Sequence, residues 1–115
     1  MSRKRTGEIG ENEVSHYLEK RGWKILERNF RFQRKEIDII AKKGDIVAFI
    51  EVKRRKTGGF GKGMEAVDSL KQDNIIHVAK AYVQRNRLTS CRIRFDVASI
   101  DPDSFTYIED AFQMQ

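Results

Sequence analysis

The chain has 115 residues, of which 39% are hydrophobic, so it is long enough for one domain with a modest core and too short for two. Its 23 Lys and Arg residues outnumber its 17 Asp and Glu residues, which gives a net charge of +6 and a pI near 9.6. This excess favours an anionic partner, either nucleic acid or an anionic membrane surface.

The sequence shows no sign of a signal peptide, a membrane span or an internal disulfide. The basic residues 1–5 are followed by GEIGE rather than by the apolar stretch of a signal peptide. No apolar run approaches the roughly 18 residues of a membrane span, and the single cysteine, Cys91, cannot form an internal disulfide. We therefore expect a cytoplasmic protein without a membrane partner. Residues 1–115 are expected to form one domain, with residues 1–6 as a flexible basic tip.

The first predicted element is a helix from Gly7 to Arg21. Its apolar stripe is compatible with a period of 3.6 residues, and Gly22 is suitably placed to end the helix. Glu11 lies at the edge of this stripe. The stripe comprises Gly10, Val14, Tyr17, Leu18 and Arg21.

Three strands are predicted next, at residues 23–31, 35–41 and 46–53. The first is the least regular of the three. In the second, strict alternation places Ile37 and Ile39 on one face and Asp38 on the other. A turn at residues 42–45 joins it to the third strand, which is apolar on both faces until Glu51, as is typical of a central strand.

Residues 54–63, RRKTGGFGKG, contain four glycines and four basic residues, a composition typical of a mobile loop. A second helix is predicted to begin with Ser69 as its N-cap, because Ser69 and Gln72 have the spacing of a capping box. Two further strands follow, a fourth at residues 91–100 and a short fifth at residues 105–108. The buried side of the helix is predicted to contain Leu70, Ile75, Val78, Ala79 and Tyr82.

Two carboxylates interrupt the apolar strands. Glu51 and Lys53 are two residues apart and therefore share a face of the third strand. A hairpin turn centred between Lys43 and Gly44 would place Asp38 diagonally beside Glu51, and a turn centred one residue later would place the two directly opposite. Either register forms a site for Mg²⁺ or Mn²⁺ and predicts metal-assisted phosphodiester hydrolysis. The alternative is a structural ion pair at a strand end.

Asp38, followed after twelve residues by Glu51-Val52-Lys53, resembles the PD-(D/E)XK motif of restriction-endonuclease-like nucleases. The chain is similar to archaeal Holliday junction resolvases and still more similar to the bacterial YraN-like family. That family's pattern spans residues 7–112. It comprises GEIGE at 7–11, EID at 36–38, EVK at 51–53, KQ at 71–72, RFDV at 94–97 and DAF at 110–112.

The resemblance implies an α/β protein with a restriction-endonuclease-like αβββαβ core, a mixed central sheet flanked by helices and an extra C-terminal strand. It implies that Asp38 and Glu51 bind the metal together with the carbonyl of Val52. It also implies that Lys53 is the catalytic lysine and that Glu11 of the first helix is part of the catalytic site.

Nucleic-acid contacts are predicted in two places. One is the basic loop, through Arg54, Arg55, Lys56 and Lys62. The other is the start of the second helix, where Lys71 and Gln72 are directed at a phosphate or at the carboxylates in the interpretation that the resemblance favours. A lysine whose stem covers the apolar stripe is the alternative for Lys71. Asp96 is expected to be structural and to pair with Arg92, Arg94 or a loop amide.

These features favour a Mg²⁺- or Mn²⁺-dependent endonuclease that acts on DNA, including branched DNA, as a twofold homodimer. Two alternatives remain open. One is a nucleic-acid-binding module that keeps the fold but has little or no catalytic activity. The other is a protein-interaction domain that presents its basic face to an acidic partner. The enzyme alone predicts metal-dependent cleavage that is lost when Asp38 or Glu51 is removed.

Overall fold

The computed structural model describes the backbone of residues 3–54 and 68–114, and the side chains of residues 10–54 and 68–114. The predicted contacts at Arg55, Lys56 and Lys62 lie outside these residues. In the described part of the chain, two helices and five strands follow one another in the order αβββαββ. They are α1 (Arg3–Lys20), β1 (Lys24–Phe32), β2 (Lys35–Lys43), β3 (Ile46–Arg54), α2 (Ser69–Arg85), β4 (Arg92–Ile100) and β5 (Phe105–Phe112).

The strands form one mixed sheet in the order β1-β2-β3-β4-β5. Neighbouring strands are antiparallel except for β3 and β4, which are parallel. Parallel neighbours require a crossover connection, and α2 lies in that connection. The predicted α/β fold class is therefore confirmed. Within the described residues, neither helix combines the length and apolar character that crossing a membrane would require.

The sheet carries an apolar cluster on each face, so its central strands are buried on both sides. The cluster on the α1 side includes Val14, Leu18, Trp23, Ile39, Ala41, Ala48, Ile50, Ala98 and Ile100. The cluster on the α2 side includes Ile37, Ile40, Val47, Phe49, Ile75, Val78, Ala79, Tyr82, Phe95 and Val97. Two helices thus cover a sheet whose β3 strand is apolar on both faces up to Glu51.

Several element boundaries differ from the prediction. Helix α1 begins at Arg3 rather than at Gly7, so residues 3–6 of the predicted basic tip are helical. Helix α2 is capped by Asp68 instead of Ser69, because the Asp68 side chain accepts a hydrogen bond from the backbone N–H of Lys71 at 2.8 Å. Leu70, predicted to be buried, is 69% exposed in the first turn. The last strand extends to Phe112, four residues beyond its predicted end.

The turn between β1 and β2 contains backbone strain that can be relieved. Phe32 pairs with Lys35, so Gln33 and Arg34 form a two-residue turn in which φ is +52° and +67°. Such turns favour glycine, because a side chain costs about 1–2 kcal/mol in the left-handed region. We expect Arg34→Gly to raise the free energy of unfolding by about 1 kcal/mol, measured by urea denaturation.

The matched control for Arg34→Gly lies in the next turn. Gly44 has φ +60°, and a Cβ added there would meet no atom within 4 Å. Gly44→Ala is therefore expected to lower the free energy of unfolding by about 1 kcal/mol through backbone conformation alone. Equal stabilities of Arg34→Gly and the wild type would contradict the strain assigned to this turn.

Candidate active site

Strands β2 and β3 bring Asp38 and Glu51 together where their backbone pairing ends. Ile39 pairs with Ile50, so continuing the same register by one residue sets Asp38 opposite Glu51. This is the second of the two registers considered from the sequence. Beyond this point the Asp38 side chain takes the place of a backbone acceptor, because its Oδ2 accepts a hydrogen bond from the N–H of Val52 at 2.8 Å.

A hydrogen bond joins the carboxyl groups of Asp38 and Glu51. Burial raises the pKa of Asp38 from 3.8 to about 9, and a hydrogen bond and charge repulsion from Glu51 act in the same direction. The Val52 N–H lowers this pKa, and the charge of Glu11 raises it further. Asp38 is therefore neutral near pH 7 in the metal-free protein and shares a hydrogen bond with Glu51.

A lysine from α2 neutralises Glu51. Glu51 is buried, with 7% of its surface exposed, and its Oε2 lies 3.2 Å from Nζ of Lys71. Lys71 lies in the first turn of α2, whose N-cap Asp68 positions the turn through the Lys71 N–H. Lys53, the predicted catalytic lysine, follows Glu51 by two residues on the same side of β3 and is half-buried. The ion pair with Glu51 is made by Lys71.

Glu11 of α1 approaches the site from the helix. It is 9% exposed and accepts hydrogen bonds from Asn29 Nδ2 at 2.9 Å and from Arg28 Nη2 at 3.4 Å, both on β1. Its charge also raises the pKa of Asp38. Glu11 and Glu51 therefore both act on Asp38, although the three carboxyl groups lie on three different elements.

The other predicted residues flank this cluster. Val52 is half-buried beside Glu51, and Arg54 is exposed at the end of β3. Gln72 is half-buried in the first turn of α2, where its N–H donates to the Asp68 carbonyl at 2.9 Å. Lys71 and Gln72 thus lie at the helix end that faces the carboxyl pair.

The donor atoms fit a hard divalent cation that retains water. Among the described residues, no group of three or more His, Cys, Asp or Glu side chains is arranged to hold a metal ion. Asp38 and Glu51 form a pair, to which the backbone carbonyl of Val52 could add a third oxygen. Mg²⁺ binds proteins through one or two carboxylates, with waters and substrate phosphates as its other ligands. A cation between the carboxyls would displace the proton of Asp38 and favour the ionised form of this residue.

The raised pKa of Asp38 predicts a stabilising substitution. A carboxyl with a pKa of 3.8 when unfolded and about 9 when folded binds its proton more tightly in the folded state. Its stabilising effect is fully present below pH 3.8 and is lost as the pH rises towards 9. We expect Asp38→Asn to raise the free energy of unfolding at pH 8 by about 1–3 kcal/mol, because an amide keeps the hydrogen bonds without the buried charge.

Urea unfolding at pH 5, 7 and 9 in the presence of EDTA tests this expectation. The advantage of Asp38→Asn over the wild type should increase at each step in pH. The control is Asp45→Asn, because Asp45 is exposed in the turn between β2 and β3, and this change should leave the pH profile unaltered. Parallel profiles for Asp38→Asn and the wild type would show that Asp38 ionises normally.

The sequence did not indicate the part played by β1. Arg28 and Asn29 bind Glu11, and Asn29 has φ +55° inside the strand. The one available signal was the irregular alternation of this segment. The expectation for Asp96 is confirmed, since this buried carboxylate accepts hydrogen bonds from Arg94 at 2.9 Å and from the N–H of Asp110 at 2.9 Å.

A solved structure has a similar fold. The Holliday junction resolvase Hjc of Archaeoglobus fulgidus, an archaeal hyperthermophile, superposes with a TM-score of 0.63 and 18% sequence identity. The match covers 96% of this chain and 79% of the resolvase chain. This likeness confirms the predicted resemblance to archaeal resolvases at the level of the fold.

Sequence comparisons identify the family. Residues 10–100 match the uncharacterised protein family UPF0102. The UPF0102 protein of Alkaliphilus metalliredigens is 43% identical over 95% of this chain and 98% of its own length. That of Sulfurihydrogenibium sp. is 35% identical over the full length of both chains, and that of Dictyoglomus thermophilum is 45% identical over 87% of this chain and 85% of its own. The chain belongs to the UPF0102 family, the YraN-like family that its motifs predicted.

Proposed function

We propose that the protein is a divalent-metal-dependent endonuclease that acts on DNA. The observation that carries this proposal is the hydrogen-bonded pair of half-buried Asp38 and buried Glu51 at the point where the pairing of β2 and β3 ends. Such a pair is costly to bury without a cation, and strongly perturbed carboxyls are typical of functional sites. The fold shared with a Holliday junction resolvase supports the same reaction class.

In this proposal Asp38, Glu51 and the Val52 carbonyl hold Mg²⁺ or Mn²⁺. The bound metal would polarise a phosphoryl oxygen and lower the pKa of a water molecule. Lys53, on the same side of β3 as Glu51, would orient the attacking water or neutralise charge on the phosphate. Glu11, whose charge acts on Asp38, would fix the orientation of the site through its hydrogen bond to Asn29 of β1.

The basic residues around the site would bind the DNA backbone. Lys71 and Gln72 lie at the start of α2, and Arg54 lies at the exposed end of β3. Arg55, Lys56 and Lys62 follow Arg54 in the basic segment and extend the proposed contact surface. A net charge of +6 supports salt-sensitive binding. We further propose that the protein acts in the cytoplasm as a twofold dimer, because branched DNA presents two strands for cleavage.

One observation favours a second candidate, a DNA-binding module of the same fold that does not cleave. Lys71 lies 3.2 Å from Glu51 and already neutralises this carboxylate without a metal. A stable ion pair of this kind would compete with a cation for the site. Binding to DNA through the surrounding basic residues would then be the whole activity.

The deciding experiment compares the wild type with the double variant Asp38→Asn/Glu51→Gln. Each protein is incubated with branched, single-stranded and duplex DNA in Mn²⁺, in Mg²⁺ and in EDTA. Binding to the same DNAs is measured by fluorescence anisotropy at two salt concentrations. The amides of the double variant have the same shape as the carboxyl groups and can still form hydrogen bonds. Neither can supply an anionic ligand to a metal.

The outcomes separate the candidates. The enzyme predicts cleavage by the wild type in Mn²⁺, none in EDTA and none by the double variant. The binding module predicts salt-sensitive DNA affinity without cleavage by either protein. Cleavage by both proteins would refute the carboxyl-pair mechanism. Absence of both cleavage and DNA binding would leave an acidic protein partner as the remaining alternative.

A further inference from the structure

Asn29 has a backbone conformation that its place in the sheet does not require. Five non-glycine residues of the described chain have positive φ: Asn29, Gln33, Arg34, Arg87 and Asp110. The turn after β1, the end of α2 and the irregular β4–β5 pairing account for the other four. Asn29 lies within β1, with φ +55°. Such a conformation costs free energy and commonly marks a constraint imposed by the surrounding structure.

The strand pairing is interrupted at the same place. Arg28 pairs with Ile39, and Phe30 pairs with Ile37, but the intervening residues Asn29 and Asp38 do not continue the ladder. The left-handed residue of β1 therefore lies across from the candidate metal ligand of β2.

In both β1 and β2, the side chains before and after this interruption lie on opposite faces of the sheet. Residues two apart in a strand share a face, yet Ile39 packs in the cluster on the α1 side and Ile37 in the cluster on the α2 side. The same reversal occurs on β1, where Arg28 binds Asn12 and Glu11 of α1, whereas Phe30 packs against Tyr82 of α2. The expectation that Ile37 and Ile39 share a face is therefore wrong.

Because of this reversal, the Asp38 side chain does not follow the alternation of side chains between the two faces of β2. Asp38 lies between the two reversed positions, and its carboxyl accepts the Val52 N–H across the β2–β3 ladder while it contacts Glu51. With strict alternation the Asp38 side chain would stand perpendicular to the sheet, where it could not replace a backbone hydrogen bond of the ladder.

The Asn29 side chain also contacts the first helix. Its Nδ2 donates to Glu11 Oε1 at 2.9 Å, which connects the reversal in β1 to α1. Asparagine also tolerates the left-handed region better than most residues. We propose that Asn29 is a positioning residue: its left-handed backbone sets the reversal that directs Asp38 to Glu51 and to the Val52 N–H. The consequence for catalysis rests on the proposed nuclease function, whereas the consequence for the Val52 N–H does not.

Substitution of Asn29 separates backbone from side chain. Asn29→Ala opposes the left-handed conformation and removes the amide, whereas Asn29→Gly removes the amide but keeps the conformation accessible. Asn29→Ser replaces the alanine variant if the latter does not fold. The control is Arg34→Ala, a change at another left-handed residue of the same hairpin, which is exposed in the turn between β1 and β2.

Three measurements are made on each folded variant. Hydrogen exchange of the Val52 N–H reports the bond to Asp38 without metal or substrate. Mn²⁺ affinity and cleavage rate report the site. In Asn29→Ala we expect exchange at Val52 to be at least about tenfold faster and Mn²⁺ affinity at least about tenfold weaker, the range for loss of one positioning contact. Asn29→Gly should stay within about threefold of the wild type, and Arg34→Ala should match the wild type.

Failure of this proposal differs from failure of the proposed function. If the wild type neither binds Mn²⁺ nor cleaves DNA but Asn29→Ala still accelerates exchange at Val52, the nuclease proposal fails and the positioning role stands. If the wild type is active and Asn29→Ala changes neither exchange nor Mn²⁺ affinity, the positioning role is refuted. Equal losses in Asn29→Gly and Asn29→Ala would refute the role assigned to the backbone.

Discussion

Replacing Glu51 with glutamine is expected to reduce Mn²⁺-dependent cleavage of DNA at least about 100-fold, which corresponds to about 2.7 kcal/mol of transition-state stabilisation. The amide has the same shape as the carboxylate but cannot balance the charge of a divalent cation. It also ends the 3.2 Å ion pair with Lys71, so that lysine becomes available for a phosphate. Affinity for DNA in EDTA should therefore be unchanged or higher, while cleavage is lost.

The control for this prediction is Glu36→Gln on the neighbouring strand. Glu36 lies two residues before Asp38, and its carboxylate forms an exposed ion pair with Arg31 at 2.9 Å. The substitution removes the same charge a short distance away, and exposed pairs contribute little to stability. Cleavage by Glu36→Gln should match the wild type. If the two variants lose activity equally, net charge rather than metal binding governs cleavage, and Glu51 is not a ligand.

The parts of the fold that local pattern specifies could be predicted from the sequence. The period of 3.6 residues in α2 correctly identified Ile75, Val78 and Tyr82 as buried, because helix packing follows directly from that period. The apolar run of β3 indicated a strand buried on both faces. Leu70 fitted the same helical period but lies in the first turn, where the helix does not cover it.

The N-cap of α2 illustrates why boundaries are harder. Ser69 and Gln72 match the capping-box spacing, but Asp68 offers a carboxylate one residue earlier and caps the helix through the Lys71 N–H. Both residues are good caps, so their order of preference depends on the path of the chain into the helix. That path is a tertiary property and leaves no local pattern in the sequence.

In the candidate site, too, the features set by local pattern could be predicted and those set by tertiary structure could not. The proximity of Asp38 and Glu51 could be predicted because a short hairpin joins their strands, although two registers were possible. The ion pair between Lys71 and Glu51 joins residues twenty positions apart and could not be assigned from spacing. The reversal at Asn29 coincides with the positive φ of this residue and with its hydrogen bond to Glu11 of α1, and neither leaves a periodic pattern in the sequence. The assumption that side chains alternate strictly between the faces of β2 was therefore wrong at Asp38, the candidate metal ligand.

Asp96→Ala is expected to lower the free energy of unfolding by about 3–5 kcal/mol, the largest stability effect that we predict, because it removes one partner from a buried ion pair. Asp96 is fully buried and accepts two hydrogen bonds from Arg94, one from the Tyr107 hydroxyl at 2.6 Å and one from the Asp110 N–H. Burial and the neighbouring Asp96 raise the pKa of Tyr107, so its hydroxyl remains a donor. Alanine would leave all three donor groups without this acceptor.

Urea denaturation measures this loss, and two variants control it. Asp96→Asn keeps an acceptor without the charge and should lose less stability than alanine. Asp103→Ala, in the exposed turn between β4 and β5, should stay within about 0.5 kcal/mol of the wild type. Stability of Asp96→Ala equal to that of Asp103→Ala would contradict the role given to this network.

The same variant separates a structural carboxylate from the one proposed to be catalytic. Asp96 pairs with Ile50 in the β3–β4 register, next to the pair of Glu51 and Val97. Ile50 packs on the α1 side and Val97 on the α2 side, so Asp96 lies on the opposite face of the sheet from Glu51. Its hydrogen bonds go to β4 and β5, and Arg94 contacts Trp23 at 5.0 Å from the ring centre. Cleavage per folded molecule should therefore survive Asp96→Ala at a temperature where the variant remains folded, whereas Glu51→Gln should be fully folded and inactive. Opposite effects on stability and activity would assign the two buried carboxylates to different roles.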